Sequence, residues 1–325
     1  MGANGAGKTN LLESLHLGTQ GFSPRARSDA EMVRFGSSGA MVAVRGERSG
    51  VPIQLELTLR VGAGKEAKLN GARLRAAEQL RLEIATLVFT PDRLAVVKAG
   101  PAARRAYFDR VISRLSPARA LLSAEYAAAL AQRNVALRRV AAGASSREAL
   151  APWTARVADL AAPLVAERAR VVGLLEPGFA LRAAELGLER AALAYDGRSL
   201  TQDDLNARLD RDLGRGTTGI GPHLDDVGIS SSGRDLRSYG SQGQQRIAVL
   251  ALLLAEAELI AEQRKTPPLL LLDDVLSELD GARRKALVSQ FPSAGQTVIT
   301  ATARGALPVE PSQLIEVELG VVRVA

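Results

Sequence analysis

Gly2-Ala3-Asn4-Gly5-Ala6-Gly7-Lys8-Thr9, one residue from the start of the chain, fits the phosphate-loop pattern Gly-x-x-x-x-Gly-Lys-[Ser/Thr] at every fixed position. Glycines let successive backbone N–H groups turn inward on the α- and β-phosphates of a nucleotide. Lys8 is spaced to reach the β- and γ-phosphates and the Thr9 hydroxyl to ligate Mg2+, while a helix entered at Asn10 directs its positive end at the anion. Gly2, Ala3, Asn4, Gly5, Ala6, Gly7, Lys8, Thr9 and Asn10 are therefore candidate nucleotide-binding residues. The plainer reading is a glycine-rich terminus without a ligand, and the rest of the chain has to decide between the two.

Leu269-Leu270-Leu271-Leu272-Asp273-Asp274 is an apolar run ending in two carboxylates. A buried strand of this kind, the Walker B arrangement, holds its first carboxylate rigidly beside a phosphate loop. Asp273 is thus the candidate Mg2+ ligand alongside Thr9. Asp274 is the candidate catalytic group that positions or deprotonates the attacking water, with Lys8 as the catalytic cation. Alone, an apolar run before Asp-Asp is ordinary; in one chain with a phosphate loop it is not.

Ser241-Gln242-Gly243-Gln244-Gln245-Arg246 stands before a long helical pattern that leads to the Walker B run. ATP-binding-cassette ATPases carry a serine-glycine-glutamine signature at this place, and the resemblance implies that Ser241, Gly243 and Gln244 meet ATP held by an opposite subunit. Ser277-Glu278-Leu279-Asp280 is similar to the loop that crosses such a dimer interface. Taken alone, Ser241-Gln242-Gly243 reads as a helix cap. The order of phosphate loop, signature, Walker B and Ser-Glu-Leu-Asp favours the functional reading.

With 325 residues and 46% apolar composition, the chain is long enough for a sizeable core and two domains. The absence of cysteine excludes disulfides and thiolate metal sites, and two histidines argue against a histidine metal site. No apolar run is long enough to span a membrane and no signal peptide is visible, which fits a cytoplasmic protein. The net charge is +7, yet between Arg93 and Arg170 there are 14 Arg/Lys against 5 Asp/Glu, an excess of nine. A basic lobe attracts polyanions, nucleic acid first among them, although a solvated arginine-rich helical surface has the same composition.

Periodicity predicts a helix over 10–17 and a half-buried strand over Val51–Leu59. It also gives a hairpin turn at Asn70-Gly71 and a strand over 83–89. From 101 to 188 the pattern is helical, and Pro117, Pro152, Pro163 and Pro177 divide it into several helices. Thr201-x-x-Asp204 reads as a helix N-cap with Gly214 as the stop. Beyond Gly219 the pattern predicts a helix over 242–261, a buried strand over 269–272, a helix over 282–291 and a strand over 297–300, the logic of a parallel sheet. The fold class expected is α/β, a phosphate-loop ATPase head of cassette type with a mixed sheet and flanking helices, plus an α-helical second lobe. The division expected is 1–98 and 191–325 for the two parts of the head and 99–190 for the basic helical lobe. Trp153, Tyr107 and Phe108 are expected in the core, His223 is expected to be structural, and His16 to be packed or solvated.

Two stretches carry a more specific resemblance. One is Phe89-Thr90-Pro91-Asp92-Arg93-Leu94-Ala95-Val96-Val97-Lys98-Ala99-Gly100-Pro101, continuing through Arg104-Arg105-Ala106-Tyr107-Phe108-Asp109. The other combines Gly221-Pro222-His223-Leu224-Asp225-Asp226, Tyr239 to Arg246 and Leu272 to Asp280. On these the chain resembles the RecF family of bacterial recombination mediators over essentially its whole length. The resemblance implies an ATP- and Mg2+-dependent homodimer that binds double-stranded and gapped DNA and works with RecO and RecR to help load RecA. It also implies weak, DNA-stimulated ATP hydrolysis that acts as a switch. Leu224 departs from it, standing where a basic residue is usual. The switch histidine of cassette ATPases is not evident after Val298, where Thr300 or Thr302 stands instead.

Three rival readings differ in testable ways. A transporter nucleotide-binding domain would dock on a membrane partner and lack the basic lobe. A chromosome-organising ATPase needs long heptad arms, which the short, proline-broken helical stretch does not supply. A nucleotide-gated DNA-binding module would show negligible turnover. A phosphate loop is normally fed by a buried strand, and the RecF resemblance implies at least two strands ahead of it. The reading frame upstream is therefore expected to encode an alternating apolar strand ending next to Gly2, and the 325 residues alone are expected to fold poorly and bind ATP weakly.

Overall fold

The computed structural model describes every residue except Arg27, Ser49 and Ala325, and the side chain of Glu78. The chain forms two compact units, Met1–Arg93 with Leu253–Ala325, and Leu94–Leu252.

In the first unit, helix α1 (Lys8–Gln20) follows the phosphate loop. Strands β1 (Gly39–Arg48), β2 (Val51–Arg60), β3 (Gly64–Leu69) and β4 (Ala72–Arg73) form an antiparallel sheet in that order. The strict alternation of β2 is realised: Ile53, Leu55, Leu57 and Leu59 are buried and pack with Leu17 of α1. Asn70 and Gly71 form a two-residue turn with φ 48° and 82°, as the right-handed twist of a hairpin requires. Helix α2 (Leu80–Glu83) and strand β5 (Thr86–Phe89) follow, so the strand expected over 83–89 is shorter and begins after a helical turn.

The second unit is mainly helical: α3 (Ala95–Lys98), α4 (Pro101–Leu115), α5 (Leu122–Ala141) and α6 (Ala151–Glu185). Pro163 and Pro177 do not divide the last of these but lie inside it. A proline removes one rung of the helix, and burial of Leu160, Ala161, Leu164, Val171, Leu175 and Phe179 along α6 compensates for that local loss. Strand β6 (Ala191–Asp196), helices α7 (Gln202–Ala207) and α8 (Leu209–Arg215), strands β7 (Asp226–Ser231) and β8 (Arg234–Asp235) and helix α9 (Leu236–Tyr239) complete it. The Thr201–Asp204 capping box forms as read; Gly216, in the left-handed conformation, ends α8 in place of Gly214.

Helix α10 (Gln242–Arg264) is followed by β9 (Leu269–Leu272), α11 (Gly281–Ser289), β10 (Thr297–Ile299) and the hairpin β11 (Ile315–Glu318)–β12 (Val321–Val324). Strands β10, β9 and β5 form a parallel sheet in that order, with Leu12 of α1 packed on Val88 and Leu271. The backbone of Met1 pairs with β11 through Ile315 O and Val317 N–H, and Gly2 N–H donates to Ala301 O at 3.2 Å.

Tyr107 and Phe108 are buried as expected; Trp153 is 37% exposed and is no core anchor. It sits on the first turn of α6, where Thr154 and Val157 take the inward-facing positions. His16 is buried, with Nδ1 on Phe22 O and its ring edge on the Phe22 ring.

Buried arginines tie the irregular stretch 212–226 to three helices. Arg104 of α4 makes a bidentate pair with Asp226 at 2.6 and 2.7 Å. Arg168 of α6 pairs with Asp109 and donates to Pro222 O at 2.6 Å. Arg133 of α5 is fully buried, donating to Asp212 at 2.9 Å and to Thr218 Oγ1 at 2.6 Å. Asp212→Ala strands that guanidinium and is expected to cost about 3–5 kcal/mol. Arg147→Ala, which breaks an exposed pair with Asp210, is expected to cost under about 1 kcal/mol when both variants are unfolded in urea.

His223 bridges Tyr126 Oη at 2.8 Å and Thr218 O at 3.0 Å. A carbonyl only accepts, so Nε2 carries the proton and Nδ1 accepts from the tyrosine. Burial lowers the His223 pKa, and protonation at Nδ1 would break the tyrosine bond. With the folded value below the unfolded value of about 6.5, the neutral ring's contribution is present above that pH and is lost as pH falls through the folded value. Melting temperature is therefore expected to fall on acidification below about pH 6.5 in the wild type, and less steeply in His223→Gln.

Candidate nucleotide site

The entry of the phosphate loop is shaped by a contact that leaves no room for a side chain. A Cβ on Gly2 would lie 2.1 Å from the backbone oxygen of Val317, so glycine is the residue that fits. The loop turns into α1 at Gly7, and the helix has no side-chain cap. Its first-turn N–H groups lack intrahelical partners, which is the arrangement that receives phosphate oxygens. Lys8 Nζ folds over the loop and donates to Gly2 O at 2.7 Å and Ala3 O at 2.8 Å. An ammonium has three protons, so one remains for a ligand. Ala3, Asn4 and Gly5 at the loop's crest and Asn10 in the first helical turn are exposed, while Gly2, Ala6, Gly7, Lys8 and Thr9 are half-buried.

Strand β9 delivers the carboxylates. Its residues Leu270, Leu271 and Leu272 are fully buried between β5 and β10, and Asp273 N–H donates to Phe89 O at 2.9 Å. Asp273 Oδ2 accepts from Thr9 Oγ1 at 2.9 Å, so the residues read as metal ligands meet across 264 positions of sequence. Asp273 Oδ1 accepts from Thr300 Oγ1 at 2.7 Å, and Asp274 N–H donates to the same hydroxyl at 2.9 Å. Asp274 is exposed and has φ 50°, the left-handed region.

Hard oxygen donors, one hydroxyl and one carboxylate beside a phosphate cradle, suit Mg2+, which keeps water and substrate phosphate in its remaining positions. Among the described residues there is no group of three or more His, Cys, Asp or Glu that could hold a metal ion. Thr9 and Asp273 are the residues that would hold the ion.

The signature lies at the start of α10. Ser241 N–H donates to Gln244 Oε1 at 2.9 Å and Gln244 N–H to Ser241 Oγ at 3.3 Å, a reciprocal capping box. Gln244 is thus committed to shaping the helix start. Ser241 and Gly243 are exposed, so the cap reading and the ligand reading coexist at this end of the helix.

Sequence reasoning left Thr300 and Thr302 undivided; the hydrogen bonds separate them, since Thr300 bonds the Asp273 carboxylate and the Asp274 backbone N–H while Thr302 lines a cavity of about 680 Å³ beside residues 1–6. The other wall of that cavity, Glu316 to Leu319, carried no motif and was missed. Among the described residues no helix is long and apolar enough to cross a membrane.

The family description "RecF/RecN/SMC N terminal domain" matches residues 1–319. The DNA replication and repair protein RecF of Heliobacterium modesticaldum is 39% identical over 318 residues, 93% of this chain and 85% of that protein. RecF of Anaeromyxobacter dehalogenans is 39% identical, covering 94% and 86%. A solved structure of the recombination mediator protein RecF with ATP in the RecFOR pathway superposes with a TM-score of 0.88 at 28% identity, over 100% of this chain and 90% of that one. An SMC head domain from Pyrococcus furiosus shares the fold at 17% identity and TM-score 0.56, over 100% of this chain and 88% of that one. The fold is therefore the α/β head of a cassette-type ATPase, and the chain belongs to the RecF family.

Proposed function

We propose that this protein is an ATP-driven dimer clamp of recombinational repair, a weak DNA-stimulated ATPase that binds double-stranded and gapped DNA and acts with RecO and RecR to help load RecA. The observation that carries the reading is the Thr9–Asp273 hydrogen bond, which joins the phosphate loop to the Walker B strand. Thr9 and Asp273 would hold Mg2+, which would supply positive charge against the charge that develops on the phosphates. The loop's N–H groups and Lys8 hold the phosphates, and Asp273 keeps Thr9 in register. Asp274, at the exposed end of β9, takes the proton from the attacking water or orients that water. Ser241 and Gly243 of one subunit meet the γ-phosphate on the other, and Gln244 shapes the helix end that presents them. ATP joins two heads, and hydrolysis removes that contact.

Residues 1–98 and 191–325 serve as the head in this reading and 99–190 as the DNA-binding lobe. The relatives' printed roles in DNA replication, repair and the RecFOR pathway support it. So do the exposed arginines of the helical stretch. Of the sequence candidates for phosphate contact, Arg104, Arg105, Arg138 and Arg139, Arg104 is buried against Asp226 and Arg105 donates to Asp225 O. Arg138 and Arg139 lie exposed at the end of α5, Arg138 with one long bond to Gly216 O at 3.4 Å, and are the pair proposed to meet phosphate.

Light scattering with ATP tests the composite site. Lys8→Ala is expected to lose ATP binding and dimerisation. Asp274→Asn should bind ATP and stay dimeric, because water activation alone is lost. Ser241→Arg should bind ATP and remain monomeric, and a normal ATP-dependent dimer from it would overturn the trans arrangement. Replacing Arg138 and Arg139 with Gln is expected to flatten the slope of log K against log salt by about 0.9 per lost phosphate contact. Unchanged affinity and slope on gapped duplex would move the DNA surface elsewhere.

A further inference from the structure

Residues 300–302, directly after β10, reach each element of the nucleotide site in the first unit. Thr300 N–H donates to Leu272 O at 3.0 Å, extending the pairing of β10 with β9 by one residue. Ala301 O accepts from Gly2 N–H at 3.2 Å, at the entry of the phosphate loop. Thr302 lines the cavity beside that loop. Thr300 itself is 8% exposed, and its hydroxyl lies between the two carboxylate residues.

A hydroxyl has one proton and two lone pairs. Asp274 N–H is a donor, so the Thr300 oxygen accepts from it at 2.9 Å and directs its own proton to Asp273 Oδ1 at 2.7 Å. The two oxygens of Asp273 are thereby divided: Oδ1 belongs to Thr300 and Oδ2 to Thr9. Asp274 has φ 50°, a region that side-chain-bearing residues enter only where surrounding contacts hold them. The bond from its N–H to Thr300 is such a contact.

Resting on the ATPase reading above, we propose that Thr300 is a positioning residue of ATP hydrolysis, its single hydroxyl fixing the Asp273 carboxylate toward the cation site and the backbone of Asp274 in its left-handed conformation. Thr9 would offer the cation a lone pair and keep its proton on Asp273 Oδ2. The Thr300 bond lies on the other oxygen and keeps the carboxylate in place. The residue thus links the metal ligand to the water-activating group without touching substrate.

The test compares Thr300→Val, which keeps the shape and removes both bonds, with Thr300→Ser, which keeps the hydroxyl, in the intact protein. A fluorescent ATP analogue is titrated in EDTA and in Mg2+, and turnover is measured separately. Affinity in EDTA is expected to stay within about twofold for both variants, because the phosphate cradle is intact. In Thr300→Val the gain in affinity brought by Mg2+, and kcat, should each fall about tenfold or more, the size of one lost charge-assisted hydrogen bond. Thr300→Ser should restore both to within about threefold, since it reinstates the bond. The proposal is overturned if the valine variant keeps the Mg2+ gain and turnover, if serine fails as valine does, or if affinity in EDTA collapses. A wild-type protein that gains affinity from Mg2+ but shows no turnover would sink hydrolysis alone; the Mg2+ gain would still judge Thr300.

Discussion

The contact on which the nucleotide site depends is the hydrogen bond from Thr9 to Asp273. It closes a loop of chain that contains the antiparallel sheet and the whole second unit, and it exists only if α1 and β9 are both held to a few tenths of an ångström. The hydrophobic layer does the holding: Leu12 rests on Val88 and Leu271, and β9 has a parallel neighbour on each side. A carboxylate that is 6% exposed, as Asp273 is, would be costly to keep charged without donors. The hydroxyls of Thr9 and Thr300 supply them, so the packing that buries the acid also places its partners.

In the second unit the corresponding constraint is the irregular stretch before the signature. Residues 216–225 form no strand or helix, and their backbone groups need partners from elsewhere. Arg168 donates to Pro222 O, Arg105 to Asp225 O and His223 to Thr218 O. Asn134 and Asp212 accept from the N–H groups of Thr218 and Gly219, and Arg104 and Arg133 hold the flanking Asp226 and Asp212. Burial, the largest single influence, would raise the Asp226 carboxyl pKa; the hydrogen bonds and charge of Arg104, the Val227 N–H and the charge of Arg105 together outweigh it and hold the group below the usual range. From Asp226 the chain runs through β7, β8 and α9 to Ser241. The Gly-Pro-His-Leu-Asp-Asp string is thus an anchored approach to the signature helix, with His223 fixed at both ring nitrogens.

The elements legible in the sequence were those whose signal is local. The alternation of Val51–Leu59, the Asn70-Gly71 turn, the Thr201–Asp204 box and the apolar run at 269–272 each contain the cause of their own structure. The motif residues were legible for the same reason, since a phosphate loop must carry its glycines, lysine and threonine in fixed order. What failed was decided by partners distant in sequence. Pro163 and Pro177 read as breaks because a window of sequence does not show the buried face that keeps α6 whole. Trp153 read as core by residue type, but its helical position turns it outward. The two hydrogen bonds of the Thr300 hydroxyl needed β9 and β10 side by side, which no spacing announces.

Arginine count shows the same limit in its clearest form. The excess of nine positive charges over 93–170 treats each arginine alike. Arg104 and Arg133 are neutralised by Asp226 and Asp212, which lie outside that window, so the excess available to solvent drops from nine to seven. Arg168 is cancelled by Asp109 within it. Buried pairs of this kind contribute almost nothing to the field felt by an approaching polyanion, because each guanidinium presents a neighbouring carboxylate of opposite sign. Exposed cations such as Arg119, Arg138 and Arg139 are what a phosphate backbone would meet. A basic composition therefore locates the lobe, but the division between structural and surface arginines comes from which carboxylates the fold brings to them.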